Sequence, residues 1–100
     1  MLKKARNIYK TQKLIKIFLE YNDQDDSKKI INSIKITGDF FLYPEESLDA
    51  LEVNLIGTKL EKYTIEQKVK KCLSSSEAFG FDSESMTDAI LGCLNPEKNT

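Results

Sequence analysis

Leu14-Ile15-Lys16-Ile17-Phe18-Leu19-Glu20-Tyr21, then Asn22-Asp23-Gln24-Asp25-Asp26-Ser27, then Lys29-Ile30-Ile31-Asn32-Ser33-Ile34-Lys35-Ile36-Thr37, is the run that decides the fold. In its first part Ile15, Ile17, Leu19 and Tyr21 alternate with Lys16 and Glu20, the period of two expected of a strand that buries one face. The middle part is polar throughout and rich in turn formers. The third resumes with Ile30, Ile31, Ile34 and Ile36, so the whole predicts an antiparallel hairpin. Upstream, Ala5 to Lys10 supplies a shorter strand through a turn at Thr11 and Gln12, which makes a sheet of about three strands.

Downstream the period changes. Pro44, Glu45 and Glu46 place a preset backbone angle and two acids in a first helical turn, where the helix dipole favours them. Leu48, Leu51 and Leu55 recur at helical spacing, and Gly57 stands where a left-handed cap is needed, so this helix ends near Ile56. Thr64-Ile65-Glu66-Gln67 has the pattern of a capping box and predicts a second helix with the stripe Ile65, Val69, Cys72 and Leu73, closed by Ser74-Ser75-Ser76. Asp82 or Ser83 caps a third helix with Met86, Ala89, Ile90 and Cys93 inward, and Asn95 and Pro96 stop it. Strands followed by helices predict an α+β domain, an antiparallel sheet with about three helices packed on one face.

With 100 residues, 40% of them apolar and 31% charged, the chain is sized for a single domain spanning residues 1–100, with its core from about 5 to 94. A formal net charge of -1 gives no overall field that would draw nucleic acid or an anionic membrane. The first sixteen residues hold six cations, Lys3, Lys4, Arg6, Lys10, Lys13 and Lys16, interrupted by apolar residues in a strand-like pattern. They read as a solvated strand face, with a basic binding patch as the lesser reading. No apolar run is long enough to span a bilayer and the N-terminus does not read as a signal peptide, so the cytoplasm is the expected location.

Chemistry is scarce. Histidine is absent, which removes the commonest general base and metal ligand. The two cysteines, Cys72 and Cys93, fall at apolar helix positions and read as small buried hydrophobes; no metal site is expected. Gly38, Gly57, Gly80 and Gly92 are too scattered for a phosphate loop. The stretch that asks for explanation is Ile36-Thr37-Gly38-Asp39-Phe40-Phe41-Leu42-Tyr43-Pro44, with three aromatics crowded between a strand and a helix. Structurally, Gly38 would permit an unusual backbone angle, Asp39 would bond nearby amides and the rings would cover the open end of the core. Functionally, part of this loop would face a partner, since rigid rings make strong interface anchors.

On these residues, together with Tyr43-Pro44-Glu45-Glu46, Leu48, Leu51, Leu55 and Gly57, the chain resembles the C-terminal accessory domain of lipoate protein ligases, and it shares the order of elements from about Ala5 to Cys93. In that family a larger catalytic domain binds lipoate and ATP, makes lipoyl-AMP and passes the lipoyl group to a lysine of an acceptor. None of that domain is present in these residues. The resemblance therefore implies the separate small subunit of a bipartite ligase, or a piece of a longer one. It implies no catalytic residue and no cofactor bound by this chain alone, with lipoate, ATP and magnesium held by the catalytic partner. It implies a heterodimer with that subunit, contact with lipoyl-domain acceptors only indirectly, and a part in adenylation more than in transfer. Gly38, Asp39, Phe40, Phe41 and Tyr43 are then a partner interface or loop-shaping element. The family's domain also resembles sulfur-transfer and iron-sulfur scaffold proteins in fold. The rival reading is accordingly a non-catalytic adaptor in sulfur or iron-sulfur assembly, which needs an exposed reactive cysteine.

Overall fold

The computed structural model describes residues 2–10, 13–25 and 28–94. Three strands, β1 (Leu2–Lys10), β2 (Leu14–Asp25) and β3 (Lys28–Gly38), form an antiparallel sheet in the order β1-β2-β3. Then come β4 (Phe41–Tyr43), α1 (Glu46–Leu55), α2 (Lys62–Leu73), β5 (Glu77–Phe79), α3 (Ser83–Leu91) and a 3-10 turn over Gly92–Leu94; β4 and β5 pair with each other as a separate two-stranded sheet.

The alternation in β2 decides which face is covered. Ile15, Ile17 and Leu19 are buried, together with Ile34 and Ile36 of β3, while Lys16 and Phe18 between them are exposed. Removing each such aliphatic side chain from water contributes about 1.5–3 kcal/mol. All three helices lie on that one side, α1 against β3, α3 against β2 and β1, and α2 between α1 and α3. Leu51, Leu55, Ile65, Val69, Met86, Ala89 and Ile90 complete the core.

Ile31 and Ile34 are both buried although three residues apart, which a plain strand of period two does not allow. The register explains it. Glu20 pairs with Ser33 and Tyr21 with Ile31, so Asn32 is an extra residue, a bulge that returns Ile31 to the inner face.

Both sheet edges carry specific contacts. Along β3, the Ile31 amide donates to the Thr58 carbonyl (2.9 Å), the Gly57 amide to the Ile31 carbonyl (2.8 Å) and the Leu60 amide to the Lys29 carbonyl (2.9 Å), while the Ile36 amide donates to the Glu52 carboxylate (2.7 Å). On β1, buried Asn7 donates from Nδ2 to the Ala89 carbonyl at 2.8 Å, which ties the edge strand to the end of α3; its Oδ1 has no partner among the described residues.

Several boundaries differ from the sequence reading. β1 begins at Leu2, three residues before the expected Ala5, because its pairing with β2 continues to Leu2↔Asn22. The polar stretch Asn22–Asp25, expected as turn, continues β2, held by pairing of Asn22, Asp23 and Asp25 with β3, by the Leu2↔Asn22 pair with β1 and by a Lys3–Asp23 ion pair of 2.9 Å. The capping box at Thr64 does not form: α2 starts at Lys62, with Glu61 as N-cap and no side-chain cap bond, because the chain enters the helix directly from the Lys59–Leu60 segment bonded to β3. The capping box belongs to α3, where the Asp82 carboxylate accepts from the Ser85 amide (2.8 Å) and the Ser85 hydroxyl accepts from the Asp82 amide (2.9 Å). Cys93 lies in the 3-10 turn beyond α3, and Cys72 and Leu73 are only half-buried. The Thr11–Gln12 turn and the Asn95–Pro96 stop lie outside the described residues.

Candidate functional site

The segment from Gly38 to Pro44, expected as an aromatic loop, is in part a strand. After β3 ends at Gly38, the Asp39 amide donates back to the Leu14 carbonyl at 3.0 Å, and Phe41–Tyr43 then pairs antiparallel with Glu77–Phe79: Phe41↔Phe79, Leu42↔Ala78, Tyr43↔Glu77. Alternation sorts the residues of this short ribbon onto two sides. Leu42 is buried and Ala78 packs against the core. On the other side Phe41, Tyr43 and Phe79 are 74%, 66% and 55% exposed. The Tyr43–Pro44 peptide is cis, and α1 starts at Glu46 with Glu45 as its N-cap, so Pro44 and Glu45, expected in the first helical turn, precede the helix.

Two glycines make the ribbon possible. Gly38 has φ +154, and a Cβ there would collide with the Leu14 carbonyl oxygen and come within 2.9 Å of the Phe40 ring. Gly80, with φ +96, lies under the stem of Lys13, where a Cβ would come within 2.5 Å of Cγ. Only a residue without a side chain allows the backbone so close.

The five residues singled out from the sequence therefore separate. Gly38 shapes the turn. Phe40 is half-buried and meets Phe81 edge-to-face, with ring centroids 4.9 Å apart at 70°, so it closes the end of the core. Asp39 does not bond nearby amides as expected of it: its carboxylate is exposed and without a partner among the described residues, because the only turn bond of this residue is made by its backbone. Phe41 and Tyr43 stand out into solvent. The sequence reading missed Phe79 and Phe81, although Ala78-Phe79-Gly80-Phe81 between a serine run and a helix cap repeats the aromatic-and-glycine texture of the first stretch.

The thiols are quiet. Burial pushes the Cys93 thiol up to about 12. Cys72, half-buried with its thiol donating to the Ser47 carbonyl at 3.6 Å, is also raised, again chiefly by burial. Neither resembles an activated cysteine. Among the described residues no three His, Cys, Asp or Glu side chains converge as a metal site, and no helix is long and apolar enough to cross a membrane.

Residues 11–90 match the protein family described as the bacterial lipoate protein ligase C-terminus. No curated protein matches. Among solved structures the chain is similar to one chain in the structural analysis of an archaeal lipoylation system, a bi-partite lipoate protein ligase and its E2 lipoyl domain from Thermoplasma acidophilum. The TM-score is 0.73 at 28% identity, over 90% of this chain and 97% of that one. The three-stranded sheet, the added two-stranded ribbon and the helices on one face are thus a shared architecture. By its sequence match and its fold, the chain belongs to the family of lipoate protein ligase C-terminal domains.

Proposed function

We propose that this chain is the accessory subunit of a bipartite lipoate protein ligase. It acts with a separate catalytic subunit in the ATP-dependent activation of lipoate to lipoyl-AMP, before transfer to a lysine of a lipoyl-domain acceptor. The observation that carries this reading is the near end-to-end likeness to a chain of similar length from a bi-partite ligase system. A sequence with no histidine and no phosphate loop supplies no obvious machinery for the reaction itself. Lipoate, ATP and magnesium are accordingly assigned to the catalytic subunit.

The ribbon β4–β5 is the docking element of this reading. Its inner side chains are anchored in the core while Phe41, Tyr43 and Phe79 project outward, so the backbone that carries the rings is ordered before a partner arrives and less conformational entropy is lost on contact. Set against the active site of the catalytic subunit, such an element would order loops and exclude water from the reactive mixed anhydride.

The test is lipoate-dependent ATP–pyrophosphate exchange by the catalytic subunit with and without this chain, beside transfer from supplied lipoyl-AMP. Exchange that depends on this protein, with transfer that does not, supports the accessory role; exchange that is equal in its absence removes it. The adaptor reading requires a reactive thiol, and the environments of Cys72 and Cys93 weigh against it.

A further inference from the structure

The outer face of the three-stranded sheet is covered by none of the helices, and its residues are unusually sorted by charge. Reading across the register of β1, β2 and β3, it presents the rows Ile8–Lys16–Thr37, Arg6–Phe18–Lys35 and Lys4–Glu20–Ser33, with Lys10 beside Leu14 at one end. Five cations share this face with one carboxylate. In a chain of formal net charge -1, the face carries a net +4 and the remaining residues a net -5. Glu20 is already engaged, accepting from the Ser33 hydroxyl at 3.1 Å with the Lys4 ammonium 3.9 Å away. Arg6, Lys10, Lys16 and Lys35 make no ion pair among the described residues.

At the centre of these charges stand two apolar side chains on a cross-strand diagonal, Phe18 and Ile8, 49% and 59% exposed. A shallow hollow of about 310 Å³ opens beside Phe18, walled by Lys4, Glu20, Ser33 and Lys35. Like charges on neighbouring strands repel, and exposed aromatic surface gains nothing from water. Beyond the contacts of Glu20 with Ser33 and Lys4, the isolated chain makes little use of this arrangement. An apolar centre ringed by charge is instead the anatomy of an interface.

We propose that this face is a second docking surface, which takes an acidic protein surface with an apolar centre, contributed by the catalytic subunit; the inference rests on the accessory reading above. Area is the first argument. Three projecting rings at the ribbon present on the order of 400 Å², well short of the roughly 800 Å² per partner of a stable heterodimer. Three strands about 4.8 Å apart and about 30 Å long add on the order of 400 Å². The ribbon lies at one end of the sheet, where Lys10 pairs with Leu14 and the stem of Lys13 lies over Gly80, just beyond β5. A partner that grips the ribbon therefore has the basic face within reach. Charge is the second argument. The net -5 elsewhere repels an extended polyanion, whereas a folded partner meets one face only.

The experiment is calorimetric titration of the catalytic subunit with the full chain at low and high salt, using wild type, the double variant Arg6→Glu/Lys35→Glu, Phe18→Ser and Phe41→Ala. The expected result is a wild-type Kd that weakens with salt. The charge reversal should weaken it at least tenfold at low salt and flatten the salt dependence, and Phe18→Ser should weaken it severalfold. All three positions are exposed, and circular dichroism checks the fold. Should the reversal fail to fold, Arg6→Gln/Lys35→Gln introduces no new charge and is expected to weaken binding in the same direction. Charge variants that bind as tightly as wild type while Phe41→Ala does not would overturn the second surface and leave the accessory role standing. Charge variants that lose only affinity for a single-stranded DNA oligonucleotide would overturn it in favour of nucleic acid. If wild type neither binds the catalytic subunit nor supports exchange, the accessory reading falls and this inference with it.

Discussion

Replacing Gly38 with alanine tests the account of the ribbon, because three separate terms act at that position. The backbone angle of φ +154 is one that a side chain adopts only at a cost of about 1–3 kcal/mol. The new methyl would also drive into the Leu14 carbonyl oxygen, which accepts the Asp39 amide at 3.0 Å, and displacing that bond costs about 1 kcal/mol more. The Phe40 ring, 2.9 Å from the added atom, would have to leave its edge-to-face contact with Phe81, worth roughly 0.5–1.5 kcal/mol. Together these give roughly 3–5 kcal/mol, a large part of the 5–15 kcal/mol that holds a domain together. Gly57 is the control: its φ of +84 also lies in the left-handed region, but an added methyl meets nothing within 4 Å, so alanine there costs only about 1–2 kcal/mol. At about 4–8 °C per kcal/mol, Gly38→Ala should lower Tm by at least about 12 °C and Gly57→Ala by considerably less, with the same order in urea midpoints. Equal losses at the two glycines would refute the claim that close approach to Leu14, rather than backbone angle alone, requires glycine at position 38.

Asp82→Ala should cost about 1 kcal/mol at neutral pH, since the carboxylate caps α3, whereas Thr64→Ala in the interior of α2 should be neutral or slightly stabilising; chemical denaturation of both variants decides it. The Ser85 amide and hydroxyl hold the Asp82 carboxyl below its ordinary 3.8, so its contribution is present above that pH and lost as pH falls through the lowered value. The gap between wild type and Asp82→Ala should therefore narrow in denaturation below pH 4. Native protein at pH 8 should leave Cys93 unlabelled by a thiol reagent on the timescale that modifies a free cysteine, with Cys72 slower than free thiol and both labelled at once in denaturant; rapid native labelling of either would favour the adaptor reading. Phe41→Ala and Phe79→Ala, at exposed positions, should leave Tm within about 2 °C yet reduce the stimulation of ATP–pyrophosphate exchange at least tenfold.

Elements whose period is uninterrupted were legible from residue types alone. Ile15, Ile17 and Leu19 mark one face of β2, and Leu51 and Leu55 one face of α1, because a single pattern runs through each. The sequence is misleading where tertiary contacts overrule a local preference. Asn22 to Asp25 favours turns by composition, yet β3 offers pairing as far as Asp25 and the strand runs on. Thr64 could cap a helix, but the backbone enters α2 from a segment already bonded to β3, so the helix starts earlier and the threonine falls inside it. Ile31 and Ile34 look inconsistent in one strand until Asn32 is counted as a bulge, and nothing local distinguishes that from a register break.

The candidate site shows the same limit more sharply. Phe40, Phe41 and Tyr43 were visible as an unusual cluster, but which of them faces the core depends on a distant partner strand, since Phe41 pairs with Phe79. Once that pairing exists, alternation leaves no choice: Leu42 goes inward, Phe41 and Tyr43 go outward, and Phe40, one residue before the ribbon, turns onto Phe81. The same logic applies to the basic N-terminal run. Lys4, Arg6, Lys10 and Lys16 are a solvated strand face in sequence, and become a single charged surface only when β3 brings Lys35 alongside Phe18. Both surfaces are therefore products of long-range pairing: the sequence marks the residues as clusters, and the pairing decides which way they face. Phe41 and Tyr43 on one surface and Arg6 and Lys35 on the other are also exposed side chains to which the fold gives no side-chain bond among the described residues, so they are open to substitution with little loss of stability.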